Sequence, residues 1–574
     1  MSRLVASQRA WLAPAWVRED LSRKAQALPS LDLRFAESKS LIDAASGQSL
    51  VTFTRASSGT YVGSDGLLKT ATTNLLLRSE EFDNASWVLF GTATRSANAT
   101  TAPNGTQTGD SVTLPVASGI YQIINGLPSV TYTLSIWVRA DSSQSVRLVI
   151  NTNLSDPVGN TINVSTTWQR YSITKTTSVG TTSVTAQLDT GGGNTFYLWG
   201  AQLEQSATVS EYIPTTSTIN SAPRFDHNPT TGESLGLLVE EQRTNLALRS
   251  EQFDDAAWNS TAGARTVTAN QITAPDGTTT ADLVTADGTN AIHFVSQSFT
   301  LSAIPYSLSV FAKAGTESTV ILRTFNALGN VNATFNLNTG TVVSNSAGTT
   351  AQIVAYPNNW YRCILNFTPV AATGGIGIYL SNVTAITIST TLYLWGAQLE
   401  AGAFPTSYIP TTTAAATRSA DVASITGTNF SSWYRQDEGT VFADVNSAPV
   451  NNVAQLAYDI SEGVGNERMF QRRSGSGMVS TAVIDNGVTQ ADIGGVAISA
   501  SARYRSGFAY KLNDIELVVN GGGSVTDTSA TLPTLDRIHI GQNYASGQSC
   551  NGALRRLTFW PARLPNSTIQ ALTQ

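Results

Sequence analysis

The chain has 574 residues, a formal net charge of −6 and only 13% charged residues. At roughly 100–200 residues per domain, that length excludes a single compact core, and the acidic balance leaves no overall basic field for nucleic acid. Its 45 Gly and 19 Pro fall well short of a collagen or low-complexity composition, and no apolar run reaches the ~18 residues of a membrane span.

Residues 1–30 differ from everything that follows. Trp11 and Trp16, with Leu12, Val17 and Leu21, give an amphipathic segment after Pro14, and the stretch lacks the uninterrupted apolar run of a signal peptide. Synthesis in a cytoplasm without a signal peptide is expected. Large aromatics outside a domain core predict a docking segment that orders on a larger assembly; a small helix packed on the neighbouring β domain, or a frayed tail, is the alternative.

Two long internal repeats organise the middle of the chain. TNLLLRSEEFDNASW from Thr73 recurs as TNLALRSEQFDDAAW from Thr244, identical at 11 of 15 positions. YTLSIWVRA from Tyr132 recurs as YSLSVFAKA from Tyr306, YLWGAQLE occurs at Tyr197 and Tyr393, and each copy closes on Tyr-Ile-Pro-Thr-Thr, at Tyr212 and Tyr408. Residues 73–216 and 244–412 are therefore two complete domains. Period-two alternation, as in Leu134, Ile136 and Val138, marks half-buried strands. Turns such as Pro103-Asn-Gly105 and Pro275-Asp-Gly277 separate them, so the predicted fold class is all-β, tandem β-sandwiches or jelly rolls. From residue 413 to 574 further strand-like runs lead to a short helix at Ser567–Leu572, with Asn566 or Ser567 expected as its N-cap.

The phrases TNLxLRSExFD and YLWGAQLE resemble the carbohydrate-binding-module-like jelly rolls of tail, fibre and spike proteins of tailed bacteriophages, and no folding reason for their exact wording is evident in the sequence. Phe430-Ser-Ser-Trp433 with Glu438-Gly-Thr-Val441 resembles the opening of the concanavalin- or laminin-G-like lectin domain that ends many such proteins. By the same resemblance, residues 31–72 and 217–243 are two parts of one small β element, into which the first jelly roll is inserted, so the ends of the insertion must meet. The resemblance implies a virion-surface appendage, a tail fibre or a head fibre or spike. It would bind host cell-surface polysaccharide through multivalent modules, without catalysis, as a homo-oligomer with a trimer as default. Its residues 1–30 would dock on capsid or tail proteins. A polysaccharide depolymerase and a purely structural decoration or adaptor subunit are the alternatives.

Chemistry-bearing motifs are sparse. Cys363 and Cys550 have no Cys-x-x-Cys spacing and read as small buried residues, and none of the three histidines sits at metal-binding spacing from another. Glu240 and Glu241 are adjacent, which in a strand sends them to opposite faces. Asp83, Asp110 and Glu204 recur as Asp254, Asp282 and Glu400. Hydrogen bonding to turn backbone is the favoured reading; a structural calcium, which the resemblance implies in some modules, is the alternative, and no other cofactor is expected.

Sugar recognition needs flat aromatic faces with polar neighbours. Trp87, Trp168 and Trp199 recur as Trp258, Trp360 and Trp395 and read as core. The candidates for glycan contact are therefore the unrepeated aromatics in polar surroundings: Tyr544 with Gln542 and Asn543, Tyr504, and Trp433 with Tyr434.

Overall fold

Alternation along Thr131–Arg139 and Gln144–Thr152 sends Leu134, Ile136, Val138, Val146, Leu148 and Ile150 to one side, into a single buried core. The computed structural model describes residues 21–574 apart from 191–193, 259–264, 381–385, 388–389, 448–453, 500 and 546. The docking candidates Trp11, Leu12, Trp16 and Val17 lie outside the described residues. The fold is all-β, a series of antiparallel sheets packed as tandem sandwiches. It divides into two compact units: Thr54–Ser58 with Thr70–Ala222, and the described residues up to Phe53 with Gly59–Lys69 and Pro223–Gln574.

The first unit holds the first module. One five-stranded sheet has the order Gln169–Thr176, Thr131–Arg139, Asn194–Glu204, Gly109–Leu114, Thr94–Thr100; the other has Val158–Val164, Gln144–Thr152, Ser183–Thr190, Ser118–Asn125, Val88–Phe90. Asn74 pairs with Asn220 and Thr73 with Ser221, so the chain enters and leaves this sandwich side by side.

In the other unit, the second module repeats the plan with a six-stranded and a five-stranded sheet around a core that includes Val310, Leu322, Cys363 and Leu394. The C-terminal sandwich packs an eight-stranded sheet against a seven-stranded one. Both cysteines are free and buried; burial pushes the Cys550 thiol up to about 12.

The strands of the small β element expected from residues 31–72 and 217–243 do not form one common sheet. Leu31–Leu33 pairs with Gly552–Trp560, and Ser234–Val239 joins the other end of that same strand. Thr60–Val62 and Leu68–Thr70 form a hairpin whose Val62 and Leu68 pack with Phe311, Trp360, Trp395 and Tyr408 of the second module. Three-residue strands enclose too little apolar surface for an independent core; Leu31–Leu33 joins the eight-stranded sheet, and the hairpin is a two-stranded sheet packed on the second module.

A buried charge node joins these parts of the second unit. Arg224, fully buried, donates through Nη2 to Asp421 Oδ2 at 2.5 Å and lies 2.8 Å from Glu240 Oε2, while its Nη1 donates to Thr60 O at 2.8 Å. Arg418 Nη1 lies 3.4 Å from Glu240. Burial alone would raise the Glu240 carboxyl; Arg418 and Arg224 outweigh it and hold the group down at about 2. Glu241 turns away to Arg243, at 2.5 Å.

The wording of the repeats has a folding reason after all. In the first module Asn74, fully buried, donates through Nδ2 to Ala201 O and Ile213 O at 2.9 and 2.8 Å, while Gln202 Oε1 accepts the Ile213 N–H at 2.8 Å. Asn245, Ala397, Ile409 and Gln398 make the same bonds in the second module, at 3.0, 2.8 and 2.7 Å. Thr-Asn-Leu, Trp-Gly-Ala-Gln-Leu-Glu and Tyr-Ile-Pro are thus three parts of one clasp. Its side-chain amides satisfy backbone groups that no strand partner reaches.

At the chain's end the helix runs Asn566–Thr573, and its N-cap is Pro565 rather than Asn566 or Ser567. Pro565 O accepts the Thr568 N–H at 2.9 Å, and Asn566 Oδ1 is taken by Arg563 Nη1 at 2.7 Å.

Candidate functional site

Strand alternation that fills the first module's core also fixes what its outer faces present. On the sheet Val158–Val164 to Val88–Phe90, the residues between core positions are Arg147, Gln187 and Asp189, with Tyr121 on the next strand. Arg147, Gln187 and Asp189 floor an open cleft of about 810 Å³, also lined by Phe90, Ser145, Thr161 and Asn194. Arg147 and Asp189 are direct cross-strand partners, joined by two bonds: Nε to Oδ1 at 2.8 Å and Nη2 to Oδ2 at 2.9 Å. Gln187 Nε2 also donates to Asp189 Oδ2. The carboxylate is thereby fixed, while half of the Arg147 side chain stays open to solvent.

Phe90 forms one wall of the cleft, with its ring 6.1 Å from that of Tyr121. Gly119 makes this possible, because a Cβ there would lie 2.6 Å from Phe90 Cζ. The cleft therefore offers a rigid ion pair, two amides, hydroxyls and an aromatic wall, the set that pairs with sugar hydroxyls and C–H faces.

The second module closes the corresponding face. Beside the core positions Val295, Ile378 and Leu322, Phe294, Tyr379 and Ile321 are cross-strand neighbours where the first module has Gly119, Asp189 and Arg147. Phe294 stacks on Tyr379 at 4.6 Å and 14°, and all three residues are buried.

On the opposite sheet the relation is reversed. Phe311, Trp360 and Tyr408 of the second module are at most 2% exposed beneath the Thr60–Thr70 hairpin, whereas their first-module counterparts Trp137, Trp168 and Tyr212 are half-buried. Arg139 lies 4.0 Å from the ring centroid of Tyr197 and 5.8 Å from that of Trp168. Trp168, expected in the core, is thus a surface residue; Trp87, Trp199, Trp258, Trp360 and Trp395 are buried.

The glycan candidates taken from the C-terminal sequence fare unequally. Tyr504 is 2% and Trp433 4% exposed, both within the hydrophobic core, so neither ring offers a face to a sugar. Tyr434 packs half-buried between Phe430, at 4.5 Å, and Phe559, at 5.5 Å, and burial drives its hydroxyl well up. Gln542 is fully buried, and Asn543 spends its Oδ1 on the N–H groups of Gly547 and Gln548. Tyr544 is half-exposed, with Arg468 5.0 Å from its ring centroid and its N–H donating to Asp459 Oδ2 at 2.9 Å.

The repeated carboxylates serve turns. Asp110 accepts the N–H groups of Phe82 and Asn98 at 2.6 and 2.8 Å, and Asp282 those of Phe253 and Asn270 at 2.7 and 3.0 Å. Glu204 and Glu400 accept the N–H groups of Ser210 and Thr406, at 3.0 and 2.8 Å. Asp83 and Asp254 are exposed. Among the described residues no group of three or more His, Cys, Asp or Glu is placed to hold a metal ion.

No protein-family model and no curated protein matches the chain. Among solved structures it is similar to the CBM40 module of a Ruminococcus gnavus sialidase bound to α2,6-sialyllactose, at 14% identity over 24% of this chain and 85% of that one, with a TM-score of 0.22. It is similar also to the tandem CBM22 modules of Xyn10C from Paenibacillus barcinonensis, at 12% identity over 58% of this chain and 98% of that one, with a TM-score of 0.23. A third is TmCBM61 in complex with β-1,4-galactotriose, at 13% identity over 23% of this chain and 99% of that one, with a TM-score of 0.20. All three are carbohydrate-binding modules.

Proposed function

We propose that the chain is a glycan-binding appendage subunit whose first module holds a polysaccharide segment in the cleft floored by Arg147, Gln187 and Asp189. The supporting observation is that cleft itself: fixed polar groups beside the Phe90 wall, open to solvent. Vicinal hydroxyls match the spacing of a carboxylate–guanidinium pair, and the ring packs against sugar C–H groups.

The proposal is binding without turnover. Glycoside hydrolysis calls for two carboxyl groups ~5–10 Å apart, one with a raised pKa; among the described lining residues Asp189 is the one carboxylate, and it is tied to Arg147. The virion setting, attachment through residues 1–30 and a homo-oligomer, by default a trimer, are part of the proposal and rest on the sequence resemblance. An oligomer would turn weak single sites into avidity. A structural adaptor is the second reading, favoured by the half-exposed Trp137, Trp168 and Tyr212, a face whose counterpart in the second module is covered by protein.

The test is to incubate the purified chain with host surface polysaccharide and read co-sedimentation and polymer length together. Binding with unchanged length is expected. Shortened polymer overturns the non-catalytic reading, and absence of binding favours the adaptor.

A further inference from the structure

An acidic chain with 34 basic residues would be expected to scatter its cations. Instead, Lys24, Arg34, Arg503, Arg505, Arg555 and Arg556 line one pocket of about 220 Å³ on the outer face of the eight-stranded sheet of the C-terminal sandwich. Strand geometry explains how so many converge. Arg503 and Arg505 are two residues apart on one strand, so they share a face. Asp444 pairs with Arg505 on one side and with Arg556 on the other.

Arg555 and Arg556 are adjacent and would ordinarily point to opposite faces. The register slips there: Asp444 faces Arg556, but Val445 faces Leu554. This bulge re-aims the extra residue, so both arginines reach the pocket. Gly236 permits the close passage of the neighbouring strand, at φ +101° and with Leu554 O 2.0 Å from any added Cβ.

Carboxylates hold these guanidinium groups in place without cancelling their charge. Asp444 takes two bonds from Arg503, at 2.8 and 2.6 Å. Asp32, 1% exposed, takes two from Arg556, at 2.8 and 2.9 Å, and one from Arg34, at 2.6 Å. Arg555 reaches Glu233 at 2.9 Å, and Arg34 reaches Glu37 at 3.5 Å. Six cations thus meet four side-chain carboxylates, while Lys24 also donates through Nζ to Ala571 O, at 3.0 Å, and Arg505 through Nη1 to Gln574 O. Each bidentate pair uses one edge of the guanidinium and leaves further N–H groups, on side chains only 12–38% exposed, for the pocket. Like charges gathered in partly desolvated space attract a compact anion, and arginine forks suit a planar or tetrahedral oxyanion.

We propose that this pocket is an oxyanion site that takes the carboxylate or sulfate of an acidic sugar residue. The oxyanion chemistry stands on the pocket alone; only the sugar as its carrier rests on the glycan-binding reading above.

The test titrates the full chain with glucuronate, with inorganic sulfate and with glucose, each at ionic strength matched by sodium chloride, following thermal unfolding. A saturable upward shift is expected with an oxyanion and none with glucose; saturation by glucuronate alone assigns the carboxylate source, and by sulfate alone the sulfate source. Arg555→Gln, whose Glu233 partner is 55% exposed, should weaken the response roughly tenfold while the variant still folds. Arg505→Gln should do likewise. Arg147→Ala, in the first module's cleft, should keep the shift, which separates failure of this site from failure of the cleft. No saturable shift, or an unchanged one in both arginine variants, overturns the proposal.

Discussion

Arg147 and Asp189 face each other across adjacent strands of the first module and share two hydrogen bonds, at 2.8 and 2.9 Å, on the floor of an open cleft. Their counterparts in the second module, Ile321 and Tyr379, are buried in an apolar cluster. One scaffold therefore carries two chemistries: the first module keeps a polar, accessible face, and the second fills the same face with its own side chains.

Removing the ion pair should separate binding from folding. With half of the Arg147 side chain exposed, the pair contributes at most about 1 kcal/mol to stability. Arg147→Ala should leave the unfolding temperature within a few degrees of wild type. Loss of charge-assisted hydrogen bonds to a glycan should nonetheless weaken binding about tenfold or more, as read by affinity electrophoresis in polysaccharide gels.

The buried node behaves oppositely. Arg224→Ala leaves Asp421 and Glu240 facing each other, both nearly or fully buried, and should cost about 3–5 kcal/mol. Denaturant unfolding should show this loss in the transition of the second module and C-terminal sandwich. An unchanged midpoint would mean that the node is not formed.

The clasp predicts matched effects in both repeats. Asn74 and Asn245 are fully buried. Each donates twice and accepts from two backbone N–H groups, those of Leu76 and Leu203 or of Ala247 and Leu399. Asn74→Ala and Asn245→Ala should each cost at least about 3 kcal/mol, because several backbone groups lose their partners together. Calorimetry of each variant should show the loss in the module that carries it.

Glu251 gives the second module a pH dependence. Burial, with a smaller contribution from Asp276, raises its carboxyl from 4.5 to about 7 against the lowering hydrogen bond from Tyr408. The folded state then holds a proton that the unfolded state releases, so stability falls as pH rises from about 4.5 through 7 and levels off above. Glu251→Gln should remove that fall, leaving the variant more stable than wild type at pH 8, on the order of 3 kcal/mol, and nearly equal to it at pH 4.5. Thermal melts across that range check the sign.

Much of the architecture is legible in the sequence because strand burial has a period of two and repeats declare themselves: the core faces of Thr131–Arg139 and Gln144–Thr152 follow directly from alternation. The candidate site is less legible. Arg147, Gln187 and Asp189 come from different strands with no motif between them, and only cross-strand register brings them together. Tyr504 misled because its neighbours are polar. Yet Arg503 and Arg505 flank it with the very alternation that sends a tyrosine inward. The arginine pocket was hidden by the net charge of −6, a sum over the whole chain, and by a bulge at Arg555 that no composition reveals. The burial of Trp360 beside the exposure of Trp168 depends on a hairpin more than 200 residues away in sequence.

The most direct measurement is the affinity of the full chain for polysaccharide from its host surface, with wild type, Arg147→Ala and Gln187→Ala compared in one titration. Saturable binding by wild type that falls about tenfold or more in Arg147→Ala, with unfolding temperatures unchanged, is the expected result. Equal binding by all three proteins would contradict the assignment of the cleft and move the search to Tyr544 and the open face around Trp137.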